Sequence, residues 1–273
     1  MRGKGFEEHP VLYGIITGQG LLVGFILLEY FLVATGISQC GIIVDSCIRM
    51  AVGVIALFLL KRIYRDGFCR LFTSLPNRIT WLCCIPFLLY LATYIVYFPM
   101  AESLTLEFAG DFALVCLQQL ATGFFEEATS KGLLMSGMLK RWRMTVRGRL
   151  GMVFLSGMLF GSGHILNFLF SNDIISCLWQ SLYASAFGVL LAAIYLQSGN
   201  LLFCMILHTV WDIVIRIPNY FCNNVNVDFL NVANVTHDIL ELGFFPIVAI
   251  LICVTYKEVR REESLICEEN QHG

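Results

Sequence analysis

Residues 115–139, VCLQQLATGFFEEATSKGLLMSGML, form a long apolar run that contains two adjacent carboxylates, Glu126 and Glu127. A run of this length is sufficient for an α-helix to cross a bilayer, which takes roughly 20 apolar residues. Charge is costly there, so an ionisable residue within a span indicates a functional site. The stretch therefore predicts a membrane helix whose two carboxylates have a chemical function.

The remainder of the chain is equally apolar. Of its 273 residues 58% are hydrophobic and 14% are charged, and the mean hydropathy is +0.75, a composition that soluble domains do not have. The apolar residues come in long runs rather than in alternation, which favours helices over a β-barrel. We predict an all-α polytopic membrane protein with about eight transmembrane helices in a single bundle. The net charge of −2 gives no indication of a nucleic-acid partner, and we expect none.

No repeat or long linker divides the chain, so we expect one membrane domain over residues 1–273, ending in a cytoplasmic tail at 257–273. The fourth predicted span could continue as a helix to residue 139. The predicted spans, in chain order, are 11–36, 40–60, 79–99, 107–127, 150–170, 174–197, 200–217 and 237–256.

The positions of Lys and Arg orient these spans. Basic clusters at 61–70 and 140–149, together with the basic residues near both ends, fall on one side of the predicted bundle. The positive-inside rule places that side, and both termini, in the cytoplasm. The opposite loops contain no Lys or Arg, and they are 37–39, 100–106, 171–173 and 218–236.

Glu127 and Lys131 are four residues apart, so they can pair along one helix face. Glu126 is rotated by about 100° from Glu127 on an α-helix. We therefore expect Glu126 to face a neighbouring helix. The alternative is that both glutamates form ion pairs with a purely structural role, although this interpretation leaves the second glutamate unexplained.

His164 lies in the stretch FGSGHILN, where Gly161 and Gly163 allow another backbone to approach closely. Glu126 is fourteen residues before Lys140, and His164 is fourteen residues after Leu150. At 1.5 Å per residue both would lie roughly 20 Å from the basic loop between their helices. Two antiparallel neighbouring helices would thus carry Glu126 and His164 at similar depth. The alternative is that His164 has only a structural role.

His208 and Asp212, in HTVWD, share one face of the seventh predicted span. A structural pair between Asp212 and Arg216 is an equally good interpretation of the same spacing. Asp45 and Arg49 in the second span are also four apart, and we predict that they form a structural ion pair.

Five ionisable residues on three spans, Glu126, Glu127, His164, His208 and Asp212, are cheaper to bury together than separately. A glutamate in such a pocket can act as base and then as acid, a histidine can orient water, and polar partners can face an oxyanion. The same residues could instead bind a divalent metal such as zinc, for which the candidate ligands are Glu126, His164 and His208. The sequence leaves open whether the site uses a metal.

Three segments resemble the motifs of the CAAX-protease and bacteriocin-processing family, also called the Abi family, of intramembrane endopeptidases. EEATSK resembles EExxxR, FGSGH resembles FxxxH, and HTVWD resembles HxxxN/D, in the same order and on the expected spans. The motifs lie within residues 105–217, which the resemblance marks as the catalytic core.

The resemblance implies an eight-helix protease in which Glu126 activates water with His164, and His208 and Asp212 stabilise the oxyanion. Glu127 and Lys131 would be a supporting pair. The implied partners are a peptide or protein substrate, membrane-anchored in the CAAX type, and the lipid bilayer. Processing of bacteriocins or other peptides, or self-immunity, is the alternative role, and the short loops favour a bacterial cell membrane. Both metal-dependent and glutamate-type mechanisms are described for this family.

Two positions depart from the family pattern. Lys131 stands where the motif has arginine, so a bidentate clamp on a carboxylate is lost. Asp212 stands where asparagine is frequent, and an anionic aspartate is a poor oxyanion donor. A catalytically degenerate member that binds a peptide or confers immunity is therefore the alternative, and a proton-coupled carrier is a third hypothesis.

Overall fold

A computed structural model describes residues 8–36, 41–64, 78–94, 106–216 and 227–256, and for 106–108 and 227–236 it describes the backbone only. The described parts are almost entirely helical and contain no strand. The predicted all-α class is therefore confirmed.

Ten α-helices, one π-helical segment and one 3-10 segment make up the described chain. In chain order they are α1 (Pro10–Ala34), α2 (Gly41–Ile63), α3 (Arg78–Thr93), α4 (Leu106–Glu127), the π segment (Ala128–Met135), α5 (Ser136–Trp142), α6 (Val146–Ser162), the 3-10 segment (Gly163–Asn167), α7 (Phe168–Ser171), α8 (Ile174–Ser198), α9 (Leu201–Val214) and α10 (Val227–Thr255).

Five helical stretches are long and apolar enough to cross a membrane: α1, α2, Val146–Ser171, α8 and the part of α10 from His237. Helices α3 and α9 are apolar but shorter. The protein is thus a polytopic membrane protein, as predicted, while the number of about eight spans stays a prediction.

Two predicted boundaries differ from the structure. Residues 227–236, assigned to an outer loop because of their asparagines, belong to α10. Asparagine is only modestly unfavourable in a helix, and the apolar residues between the asparagines are compatible with helix. Residues 218–226 of that predicted loop lie outside the described residues. The predicted span 150–170 is also interrupted, by the 3-10 segment.

Polar side chains cap the N-termini of α8 and α9. Asp173 Oδ1 accepts hydrogen bonds from the backbone N–H groups of Ile175 and Ser176, both at 3.1 Å, and so caps α8. The hydrogen bonds from Ser176 lower the pKa of the Asp173 carboxyl. Gly199, at φ +61°, ends α8, and Asn200 Oδ1 caps α9 at 2.9 Å from Phe203 N.

Helix α8 packs against both α6 and α10, and its C-terminal half is buried. Helix α4 packs against α2 and α9, while the π segment packs against α1 and α2. The motif-bearing helices are consequently held from both sides, by α1 and α2 on one side and by α8 on the other.

The contact between α6 and α8 depends on two glycines four residues apart. A Cβ at Gly157 would lie 2.5 Å from Val189 N, and a Cβ at Gly161 would lie 2.5 Å from Ser181 O. Backbone meets backbone here, which is the use of a small-xxx-small spacing in membrane helices. The close approach predicted at Gly161 is confirmed, whereas the part played by Gly157 was not foreseen.

Candidate active site

A cavity of about 280 Å³ opens among α1, α4, α6, α8 and α9. Its wall contains all four residues that the sequence suggested as catalytic: Glu126, His164, His208 and Asp212. The structure therefore brings these four side chains, from three predicted spans, to one cavity.

His208 is at the centre of the charged cluster. Its Nδ1 lies 2.9 Å from Glu127 Oε1, a hydrogen-bond distance. Its Nε2 lies 3.6 Å from Glu126 Oε2 and also 3.6 Å from Asp212 Oδ2. One imidazole thus lies near three carboxylates. Glu127, the closest, approaches Nδ1, whereas Glu126 and Asp212 approach Nε2.

Glu127 and Lys131 form the pair expected from their spacing. Lys131 Nζ lies 3.2 Å from Glu127 Oε1, and neither side chain is exposed. The ammonium also lies 4.6 Å from the centre of the Phe160 ring, close enough for a cation–π contact. Lysine therefore provides the charge at this position without the planar fork of an arginine.

The π segment begins directly after Glu127, and all eight of its residues are buried. Such segments are rare and occur mostly at functional sites. At the change of backbone geometry, the hydroxyls of Ser130 and Thr129 donate to the carbonyl oxygen of Glu126, at 2.6 Å and 3.0 Å. These hydrogen bonds stabilise the backbone that carries both glutamates.

His164 lies in the 3-10 segment, on the cavity wall. The ring of Phe160 packs edge-to-face against both imidazoles, with ring centroids 5.5 Å from His164 and 5.7 Å from His208. Among the described residues, the ion pairs connect Glu126 to His208 rather than to His164. The predicted similar depth brings Glu126 and His164 to the same cavity without pairing them.

Residues 108–214 match the family model described as Type II CAAX prenyl endopeptidase Rce1-like. The chain is similar to that family over this region. The predicted resemblance to CAAX proteases is thereby confirmed, and the family supports an intramembrane protease activity. No curated protein and no solved structure matches the chain.

The Rce1-like region contains every motif residue, but the cavity extends beyond it. Arg49 on α2 forms the predicted pair with Asp45, at 3.0 Å, and also lies 2.7 Å from Glu29 on α1. Glu29, Arg49 and Glu241 all line the cavity. Sequence spacing found the pair within α2, but it could not find Glu29 or Glu241, because contacts between distant helices leave no periodic signal.

The candidate metal ligands do not fit a metal in this arrangement. Within the described ranges, no three His, Cys, Asp or Glu side chains are placed to hold an ion together. His208 Nδ1 is engaged by Glu127, and Phe160 packs against both imidazoles. We therefore derive no catalytic step through a metal.

Proposed function

We propose that this protein is an intramembrane endopeptidase that hydrolyses a peptide bond with a water molecule activated by Glu126. The observation that carries the proposal is the position of Glu126 on the cavity wall, 3.6 Å from His208 within the Rce1-like region. Both side chains face the same cavity of about 280 Å³, so a water molecule and a substrate carbonyl group can approach them from that space.

In the proposed reaction, Glu126 takes a proton from water while the water oxygen attacks the carbonyl carbon. His208 donates a hydrogen bond from Nε2 to the oxyanion that forms, because such donors act where negative charge develops. Glu126 then transfers its proton to the leaving nitrogen as the peptide bond breaks. The products are a carboxylic acid and an amine, and the glutamate returns to its starting form.

Glu127 and Lys131 are positioning residues in this scheme. Glu127 accepts the hydrogen bond of His208 Nδ1, and Lys131 compensates the charge of Glu127. An imidazole donates from both nitrogens only when it is protonated. We therefore assign the imidazolium form to His208, which also lies close to the Asp212 carboxylate. We assign a substrate-orienting role to His164.

The substrate class that suits this site is a membrane-anchored peptide or protein of the CAAX type. The long apolar helices and the Rce1-like region support this choice, because a protease site among membrane helices suits a substrate that is held at a lipid bilayer. We further propose that residues 105–217 form the catalytic core of one membrane domain, in a bacterial cell membrane with both termini in the cytoplasm.

The direct test is cleavage of a farnesylated CAAX peptide by the purified protein in proteoliposomes, followed by mass spectrometry. Glu126→Gln should lower the rate by about 100-fold or more, the typical contribution of a general base. Asp111→Asn is the matched control, because it removes an exposed carboxylate from the same helix, away from the cavity. It should cleave like the wild type.

Unchanged cleavage by Glu126→Gln would contradict the proposed mechanism. If the wild type binds the peptide tightly but never cleaves it, the protein is a degenerate family member that acts by binding.

A further inference from the structure

Glu241 is a glutamate of α10 that lies outside both the Rce1-like region and the three motifs. Its side chain is only 2% exposed, yet it belongs to the wall of the cavity that contains Glu126 and His208. A carboxylate at this depth in a membrane protein indicates a functional site and needs a partner.

The partners of Glu241 are incomplete. Oε2 accepts a hydrogen bond from the Tyr90 hydroxyl at 3.3 Å. Oε1 is buried and has no hydrogen-bond partner among the residues that the structure describes. An unsatisfied buried carboxylate oxygen is expensive, so a group that donates a hydrogen bond to it would be bound strongly.

The other carboxylates of the cavity wall have a positively charged or protonatable partner. Glu29 has Arg49 at 2.7 Å, while Glu126 and Asp212 share His208. In the described parts of the chain, Glu241 forms no ion pair with a lysine, arginine or histidine. A positively charged partner for the Glu241 carboxylate would thus have to come from a bound molecule.

Several aromatic rings pack next to Tyr90, the hydrogen-bond partner of this carboxylate, or line the same cavity. Tyr90 stacks on Trp211 at 4.5 Å and meets Phe245 at 5.5 Å, and Tyr183 also lines the cavity. Long cationic side chains place their methylene stems on such surfaces while the charged head reaches a polar group. The combination suits a lysine or arginine side chain better than a small hydrated ion.

We propose that Glu241 is a specificity-determining residue that binds a positively charged side chain of the substrate peptide. The inference rests on the proposed peptidase function. Phe187 packs against both His208, at 5.1 Å, and Trp211, at 4.3 Å, and among the described residues Glu241 forms no hydrogen bond or ion pair with Glu126, His208 or Asp212. Glu241 would therefore select the substrate without taking part in bond cleavage.

The test uses pairs of farnesylated CAAX peptides that are identical except for lysine or norleucine at one position near the prenylated cysteine. Norleucine keeps the methylene stem and removes the charge. For at least one of these peptide pairs, the kcat/KM of the wild type should be about tenfold or more higher for the lysine peptide than for the norleucine peptide. This is the usual range for a buried charge-assisted hydrogen bond. Glu241→Gln should lose this preference while still cleaving the norleucine peptide.

Asp238→Asn is the matched control. Asp238 lies on the same helix, accepts a hydrogen bond from Trp179 Nε1 at 2.8 Å, and is not part of the cavity wall. This variant loses a carboxylate charge as Glu241→Gln does, and it should keep the preference for lysine.

A wild type without any preference, or a Glu241→Gln protein with the full preference, would overturn the inference. The wild-type comparison does not depend on whether the variant folds. Binding of the same peptide pairs to Glu126→Gln, measured by fluorescence anisotropy, separates the two proposals. If nothing is cleaved but lysine peptides still bind more tightly, the peptidase function fails and the Glu241 subsite stands.

Discussion

Lys131 shows how much of this site depends on one buried charge. It is fully buried, and its ammonium lies between Glu127 and the Phe160 ring. Without it, Glu127 would keep only His208 as a partner, and Glu127 Oε2 already lacks a hydrogen bond among the described residues. The lysine thus stabilises the carboxylate that orients the central imidazole.

Lys131→Met should therefore destabilise the protein strongly, because it leaves a buried carboxylate short of its cation. Breaking a buried pair by removing one partner costs about 3–5 kcal/mol. A thermal unfolding scan in detergent should show a much lower midpoint, and cleavage should fall with it. Lys131→Arg, which keeps the charge, is the control and should retain most of the stability. Equal midpoints for the methionine variant and the wild type would show that the pair is energetically unimportant.

At the scale of the element, the π segment and the glycine face of α6, formed by Gly157 and Gly161, decide where the side chains proposed as catalytic meet. The π segment continues α4 beyond Glu127 and holds Lys131 under Phe160. The glycine face brings α6 against α8, and so carries Phe160 and His164 to the cavity. Both features act on the site through backbone geometry.

Gly161→Ala tests the contact between α6 and α8. Its new Cβ would lie 2.5 Å from Ser181 O and 2.6 Å from Ser185 N, so the helices have to move apart. Overpacking of this kind costs about 1–3 kcal/mol, and we expect a lower melting midpoint together with slower cleavage.

Gly151→Ala is the matched control on the same helix, since no atom lies within 4 Å of its new Cβ. Alanine is the better helix former by about 1 kcal/mol, so this variant should be as stable as the wild type or slightly more so. If both alanine variants melt alike, close packing at Gly161 is not what holds the two helices together.

For the molecule as a whole, the cavity is completed by helices outside the Rce1-like region. Glu29 and Arg49 come from α1 and α2, and Glu241 comes from α10. The Rce1-like region therefore supplies the residues that we propose to react, while the first two helices and the last supply further charged groups of the wall.

The predicted orientation belongs to this scale as well. A green fluorescent protein fused after Gly273, or inserted at Thr145 in the basic connection, should fluoresce in bacterial cells, since both sites are predicted to be cytoplasmic. An insertion at Asn172 should stay dark, because the fluorescent protein folds poorly after export. A dark C-terminal fusion that is expressed at full length would contradict the orientation.

The sequence by itself determined the membrane class, the helical architecture and the pairing within single helices. Apolar run length and the spacing of four residues are local properties, so Glu127 with Lys131 and Asp45 with Arg49 could be found without coordinates. The motif order also led to the family.

Only the tertiary structure decided which helices meet and which atoms face one another. It placed His208, rather than His164, beside both glutamates, changed the backbone after Glu127 to a π-helix, and brought Glu241 to the cavity. These outcomes depend on packing between helices far apart in the chain, where close contact is set by shape and charge at the interface. A one-dimensional pattern does not contain that information.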